Sequence, residues 1–130
     1  MPTIDDVLFR ARTRLQRVDV DDLAKELDSN TLVIDIRPIQ QRREYGEIPG
    51  SIAIERNILE WRLDPASSAR ISATTDHDVR VVIVCQEGYA SSLAAASLQD
   101  LGLHRATDLV GGVRAWREAG HPVSSPRDVD

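Results

Sequence analysis

The stretch "VRVVIVCQEGYASSLAAASLQDLG", Val79–Gly102, decides the fold. Its apolar run Val81–Val84 is continuous rather than alternating, the pattern of a strand buried on both faces of a parallel sheet. The run stops at Cys85, the only cysteine in the chain. Gln86, Glu87, Gly88, Tyr89 and Ala90 form a loop, and an Ala-rich helix begins near Ser91 and closes at Gly102. Open parallel sheets collect their chemistry where strands deliver C-terminal ends, and Cys85 stands at such an end. A short loop of this kind turns successive N–H groups toward a common point. The helix start adds positive potential, so a thiolate is favoured there. Gly88 suits a tight curl that needs positive φ. Free cysteine is equally at home as a small buried apolar residue. On local physics alone, nucleophile and packing residue stand level.

Working outward, strands alternate with helices. Thr3 followed by Ile4, Val7, Leu8, Ala11 and Leu15 gives an amphipathic helix, with Asp5 and Asp6 first and Arg10, Arg12 and Arg14 later, as the helix dipole prefers. A short strand at Arg17–Val18 precedes a helix in "DVDDLAKELDSN" that ends near Asn30. "TLVIDIR" is a second buried strand, Pro38 and "IQQRREYG" a short helix stopped by Gly46, and "IPGSIAIE" a turn and a short strand. An irregular region follows, with helical fragments at about Asn57–Trp61 and Pro65–Arg70. After Gly102, "ATDLVGG" is a strand running into a glycine turn, and "VRAWREAG" is the last helix. Such alternation predicts an α/β domain with a mostly parallel sheet. The expectation is one domain over 1–130: a helical extension at 1–16, a core at 18–123, and a tail at 124–130 that is mobile at its end.

Composition narrows the function classes. A chain of 130 residues, 42% hydrophobic, can bury one real core. Its 16 basic and 21 acidic residues, net −5, give no footprint for nucleic acid or an anionic membrane. A single cysteine excludes an intramolecular disulfide and a multi-cysteine metal site, and it fits a reducing compartment. The N-terminus lacks the basic-then-apolar order of a signal peptide, and no apolar run approaches the ~20 residues that span a bilayer. The expectation is a soluble cytoplasmic protein. His77, His104 and His121 are scattered without ligand spacing or an obvious acidic partner, so surface or structural roles are expected of them and no metal.

"CQEGYASS" resembles the active-site loop of the rhodanese (thiosulfate sulfurtransferase) family, whose form is Cys-x-x-Gly-x-Arg/Ala-Ser. "VIDIRPIQQRREYGEIPGSIAIE" resembles the family's Asp-x-Arg, Glu-Tyr/Phe and Gly-x-Ile-Pro-Gly-Ala/Ser signature. "DLVGGVRAWREAGHPV" resembles its Gly-Gly, spaced Trp and Gly-x-Pro-Val signature. The three lie in order from about Val18 to Val123, and "IERNILEWRLDP" is similar to an actinobacterial subgroup. The resemblance implies a three-layer α/β/α fold with a mostly parallel sheet of about five strands. It also implies persulfide chemistry: Cys85 takes the outer sulfur of thiosulfate or another sulfane donor and hands it to cyanide, a thiol or, in a relay, a protein acceptor. Loop N–H groups stabilise the persulfide anion, with Gln86–Ser91 as the active-site loop. No cofactor is implied.

The loop departs from the family pattern in holding no Arg or Lys. Ala90 stands where Arg is frequent, and Glu87 adds negative charge. That points to a less charged or protein-bound donor, or to cations from elsewhere, with Arg56 and Arg62 as candidates for substrate binding. By the resemblance, Asp35 and Arg37 form a polar framework under the loop, and Arg37 pairs with Glu44. Trp61 reads as core in preference to pocket wall, and Trp116 as core. Ser91 and Ser92 are expected to cap the helix. Two other classes remain. A phosphatase of related fold needs Cys-x5-Arg, and this chain has Ser91 at that position. A non-catalytic binding module would keep the fold without the chemistry.

Overall fold

The two apolar runs become the centre of the sheet. In the computed structural model, which describes residues 1–126, β1 (Leu32–Asp35) and β3 (Val81–Val84) are parallel neighbours. β2 (Ile52–Ala53) flanks β1 and β4 (Ala106–Asp108) flanks β3, both parallel, in the order β2–β1–β3–β4. Register pairs Asp35 with Val84, so both central strands end at one edge and Cys85 leaves the sheet one residue further on.

The sheet has four strands where about five are expected, because the strand at Arg17–Val18 shrinks to a single bridge with Leu109. Val18 N–H donates to the Asp108 carbonyl at 3.1 Å, and its own carbonyl accepts from Val110 N–H at 2.8 Å. Pairing stops there because the Asp19 side chain caps α2 (Val20–Glu26) and turns the chain away from the edge.

Period-two alternation divides the strand side chains between two cores. Val81 and Ile83 meet Leu59 and Leu63 of α4 (Leu59–Leu63) and Ala94, Ala95 and Leu98 of α5 (Ala90–Asp100). On the opposite face Val82 and Val84 meet Leu23 of α2 and Val113 and Trp116 of α6 (Gly112–Glu118). Helices on both sheet faces give the three-layer α/β/α arrangement. Ala94 and Ala95 of α5 are fully buried and let the helix close on the sheet, and α1 (Ile4–Thr13) packs on α5. Trp116 is fully buried as expected, with Nε1 donating to the Pro122 carbonyl at 2.8 Å. The helix ends follow the sequence: Thr3 and Asp6 form a capping box at α1, and Gly46 closes α3 (Ile39–Tyr45) at φ +82°.

Three local expectations are corrected. Pro65–Arg70 forms turns, because the side chains of Asp64 and Ser67 capture the N–H groups of Ala66 and Ala69. Trp61 is 62% exposed: α4 buries Leu59 and Leu63, four residues apart, and Trp61 points the other way. Two histidines have acidic partners after all, Asp21 for His121 and Asp78 for His104, and His121 also stacks on Trp116. The tail begins tied down, since Ser124 and Glu47 exchange two backbone hydrogen bonds of 2.8 Å. The mobility expected at its end concerns 127–130, outside the described residues. Among the described residues no helix is long and apolar enough to cross a membrane.

Candidate active site at the Cys85 loop

The strand end fixes the Cys85 backbone, and three neighbouring elements shape the loop. Cys85 is 7% exposed. Its Sγ receives the Gly88 N–H at 3.2 Å and the Ser91 N–H at 3.4 Å. Two N–H dipoles converging on one sulfur stabilise negative charge there. The loop can aim them inward because its carbonyls are held outward. Val113 N–H, in the first turn of α6, donates to the Cys85 carbonyl at 2.9 Å, and Arg114 N–H to that of Gln86 at 3.0 Å. The Gly88 carbonyl accepts from two guanidiniums, Arg12 Nη2 at 2.8 Å and Arg17 Nη2 at 3.0 Å. Gly88 sits at φ +86°, and a Cβ there would come within 2.7 Å of Gly111 N. The positive φ read from the sequence is present, and the space is closed as well.

Ser91 and Ser92 do something other than cap. The N-cap of α5 is Tyr89, without a side-chain bond, and both hydroxyls donate to Asp108 Oδ2 at 2.7 Å. Asp108 is fully buried and also takes Arg17 Nε at 2.9 Å and Nη2 at 3.1 Å. One carboxylate thus joins the start of α5, the end of β4 and the segment before α2. Sequence reasoning missed Asp108, Arg12 and Arg17. The available signal was an acid closing the apolar strand "ATDL", since a buried carboxylate requires partners.

Asp35 and Arg37 lie beneath the loop as a buried pair, Nη2 to Oδ2 at 2.7 Å. Arg37 also donates to Gln86 Oε1 at 2.9 Å and to the Gly46 carbonyl at 2.7 Å, which ties the pair to the loop. These bonds replace the expected pairing with Glu44, which is exposed on α3. Asp35 wins because it lies two residues away on the same side of the strand end.

Arg56 and Arg62 do not meet the loop. Arg56 donates to both carboxylate oxygens of Glu60 at 2.9 Å, and Arg62 to the Ala69 carbonyl at 2.7 Å. Burial pushes the Glu60 carboxyl up, but hydrogen bonds, led by that from Ser97, and the Arg56 charge hold it below its ordinary value. Arg56 is therefore committed to Glu60. On the other flank exposed Glu87 pairs with Arg114 at 3.1 Å, and Glu118 with Arg114 at 3.0 Å. These two carboxylates raise the Arg114 pKa above its ordinary value. A cleft of about 450 Å³ opens beside the loop, lined by Tyr45, Gln86, Glu87, Arg114, Arg117 and Glu118.

Known proteins bear on this geometry. A sulfurtransferase of Allochromatium vinosum is 28% identical over 114 residues, 86% of this chain and 97% of the relative. The adenylyltransferase and sulfurtransferase MOCS3 of Arabidopsis thaliana is 26% identical over 88% of this chain, and the match spans only 26% of that relative. Among solved structures, a Rhodopseudomonas palustris protein of unknown function, described as "Possible Tyrosine Phosphatase", has a TM-score of 0.86 and 32% identity over 95% of this chain and 96% of its own. A thiosulfate sulfurtransferase of Pseudomonas aeruginosa has a TM-score of 0.70 and 25% identity over 88% of this chain and 20% of its own. The family model for the rhodanese-like domain matches residues 19–119, spanning both framework residues, the cysteine loop and the glycine turn. With a parallel sheet that opens this loop at its central strand end, the chain belongs to the rhodanese-like domain family.

Proposed function

We propose that the chain is a sulfurtransferase that carries sulfane sulfur on Cys85 as a persulfide. The observation that supports this most is the pair of N–H groups, from Gly88 and Ser91, aimed at Sγ. In the first step the Cys85 thiolate attacks the outer sulfur of the donor. An S–S bond forms to Cys85 and the donor's own S–S bond breaks; its electron pair leaves with sulfite when the donor is thiosulfate, or with a thiolate when it is a persulfide. In the second step an acceptor thiolate or cyanide attacks the terminal sulfur, and the electron pair of the Cys85 S–S bond returns to Cys85. Charge balances in both steps, and negative charge stays within reach of the loop N–H groups, which act as an oxyanion hole does for oxygen. Asp35, Arg37 and Asp108 hold the loop and touch no reacting atom. The related proteins named as sulfurtransferases support the reaction class, and a protein persulfide or protein acceptor would use the same two steps.

The phosphatase description of the Rhodopseudomonas palustris relative favours a second reading. It lacks a phosphate clamp here, since Ser91 stands where the bidentate arginine is needed and its hydroxyl is committed to Asp108. Turnover separates the two. Sulfur transfer from thiosulfate or a low-molecular-weight persulfide to cyanide or a thiol is expected in the wild type and at background in Cys85→Ser. Aryl phosphate is expected to remain intact. Cys85-dependent phosphate release without sulfur transfer would replace the proposal by the second reading.

A further inference from the structure

The loop carries no cation of its own, yet it is surrounded by guanidiniums whose charges can be followed. Arg17 is paired with Asp108, Arg37 with Asp35, and Arg114 with Glu87 and Glu118. In each of these a carboxylate cancels the charge, and Arg117, on the cleft side, stacks over the Tyr45 ring at 5.7 Å from the centroid and bonds no loop atom among the described residues. Arg12 differs: its Nη2 bonds the Gly88 carbonyl at 2.8 Å, its Nε bonds Ser92 Oγ at 3.1 Å, and its guanidinium lies over the Tyr89 ring at 5.8 Å from the centroid. None of these partners is an anion, and no carboxylate pairs with Arg12 among the described residues. It belongs to α1, ahead of the family match that begins at residue 19.

We infer that Arg12 supplies, from the N-terminal helix, the positive charge that Ala90 and its neighbours leave out of the loop, and so suits the site to anionic sulfur donors such as thiosulfate. Arg12 grips the loop at the carbonyl of Gly88, the residue whose own N–H reaches Cys85 Sγ. Two guanidiniums on that carbonyl keep the Gly88–Tyr89 peptide from flipping. Arg12 is a positioning residue that also sets the local potential, while Arg17 shares the carbonyl but is neutralised by Asp108. This rests on and deepens the sulfur-carrier reading by naming a substrate class, and it makes Arg12 of α1 part of the site.

The test alkylates Cys85 with a neutral reagent, iodoacetamide, and with its anionic counterpart, iodoacetate, a pair that probes charge without requiring sulfur transfer. One unit charge acting across screened protein changes the approach of an anion by a factor of about three. Arg12→Gln is expected to lower the iodoacetate-to-iodoacetamide rate ratio by that factor, and Arg12→Lys to restore it. A looser loop would slow both reagents alike. Arg12→Met keeps the aliphatic stem against Tyr89 and takes the place of Arg12→Gln if that variant does not fold. An unchanged ratio in a folded charge-removed variant overturns the inference, as does failure of Arg12→Lys to restore it. If the ratio falls but no donor ever loads Cys85, the charge assigned to Arg12 stands, while the sulfur-carrier reading and the donor class that rests on it fail.

Discussion

Asp108→Ala is expected to lower the unfolding free energy by about 3–5 kcal/mol, the range for removing one partner of a buried ion pair. The carboxylate is fully buried and accepts four hydrogen bonds, two from Arg17 and one each from Ser91 and Ser92. Without it the Arg17 guanidinium, its side chain only 17% exposed, is left with the Gly88 carbonyl as its remaining hydrogen-bond partner among the described residues. Two buried hydroxyls lose their acceptor as well. Asp108→Asn keeps the shape but turns an NH₂ toward donors, so it falls between wild type and alanine. Denaturant melts of the two variants check this. Asp100→Ala is the control: it breaks an ion pair whose side chains are 42% and 69% exposed, and it is expected to cost under about 1 kcal/mol. Equal losses at Asp108 and Asp100 would show that the buried network has no special weight.

Gly112→Ala strikes the site from the other side. Gly112 has φ +63°, and a Cβ there would lie 2.4 Å from the Cys85 carbonyl oxygen and 2.7 Å from that of Gln86. The left-handed conformation costs a non-glycine residue roughly 1–2 kcal/mol. Overpacking against backbone adds roughly 1–3 kcal/mol. The sum is a loss of about 2–5 kcal/mol. Relief requires the Cys85–Gln86 backbone to move, and a shift of about 1 Å at a reacting group costs roughly 100-fold in rate. Gly50→Ala separates conformation from crowding, because Gly50 has φ +81° with nothing within 4 Å of its Cβ position. That variant is expected to lose stability modestly and to keep sulfur transfer. A Gly112→Ala protein with wild-type turnover would contradict the close approach.

The two central strands, α5 and the position of Cys85 were legible because each rests on local pattern. A continuous β-branched run, a glycine that closes a helix and a strand-end cysteine need no distant partner to be recognised. The strand at Arg17–Val18 was read correctly in place and wrongly in extent, since the cap at Asp19 ends it after one bridge. Arg12 lies 76 positions from Gly88, and Arg17 lies 91 from Asp108. In the sequence the arginines of α1 look like charges that suit a helix dipole, and only the packing of α1 on α5 shows that Arg12 faces the loop. Arg56 and Arg62 were attractive because their segment follows a strand end at the same edge. A carboxylate one helical turn away and a nearby carbonyl took them instead. Periodicity tells which face of an element is buried; it does not tell which of several exposed cations finds a distant acceptor.

Sulfur loading on Cys85 is tested most directly by intact-mass measurement after the reduced protein is incubated with thiosulfate or a low-molecular-weight persulfide and the donor is removed. The wild type is expected to gain the mass of one sulfur atom, to lose it when cyanide or a thiol is added, and Cys85→Ser to gain nothing. A wild-type mass that stays unchanged across donors, or an equal gain on Cys85→Ser, would contradict the assignment of Cys85 as the sulfur carrier.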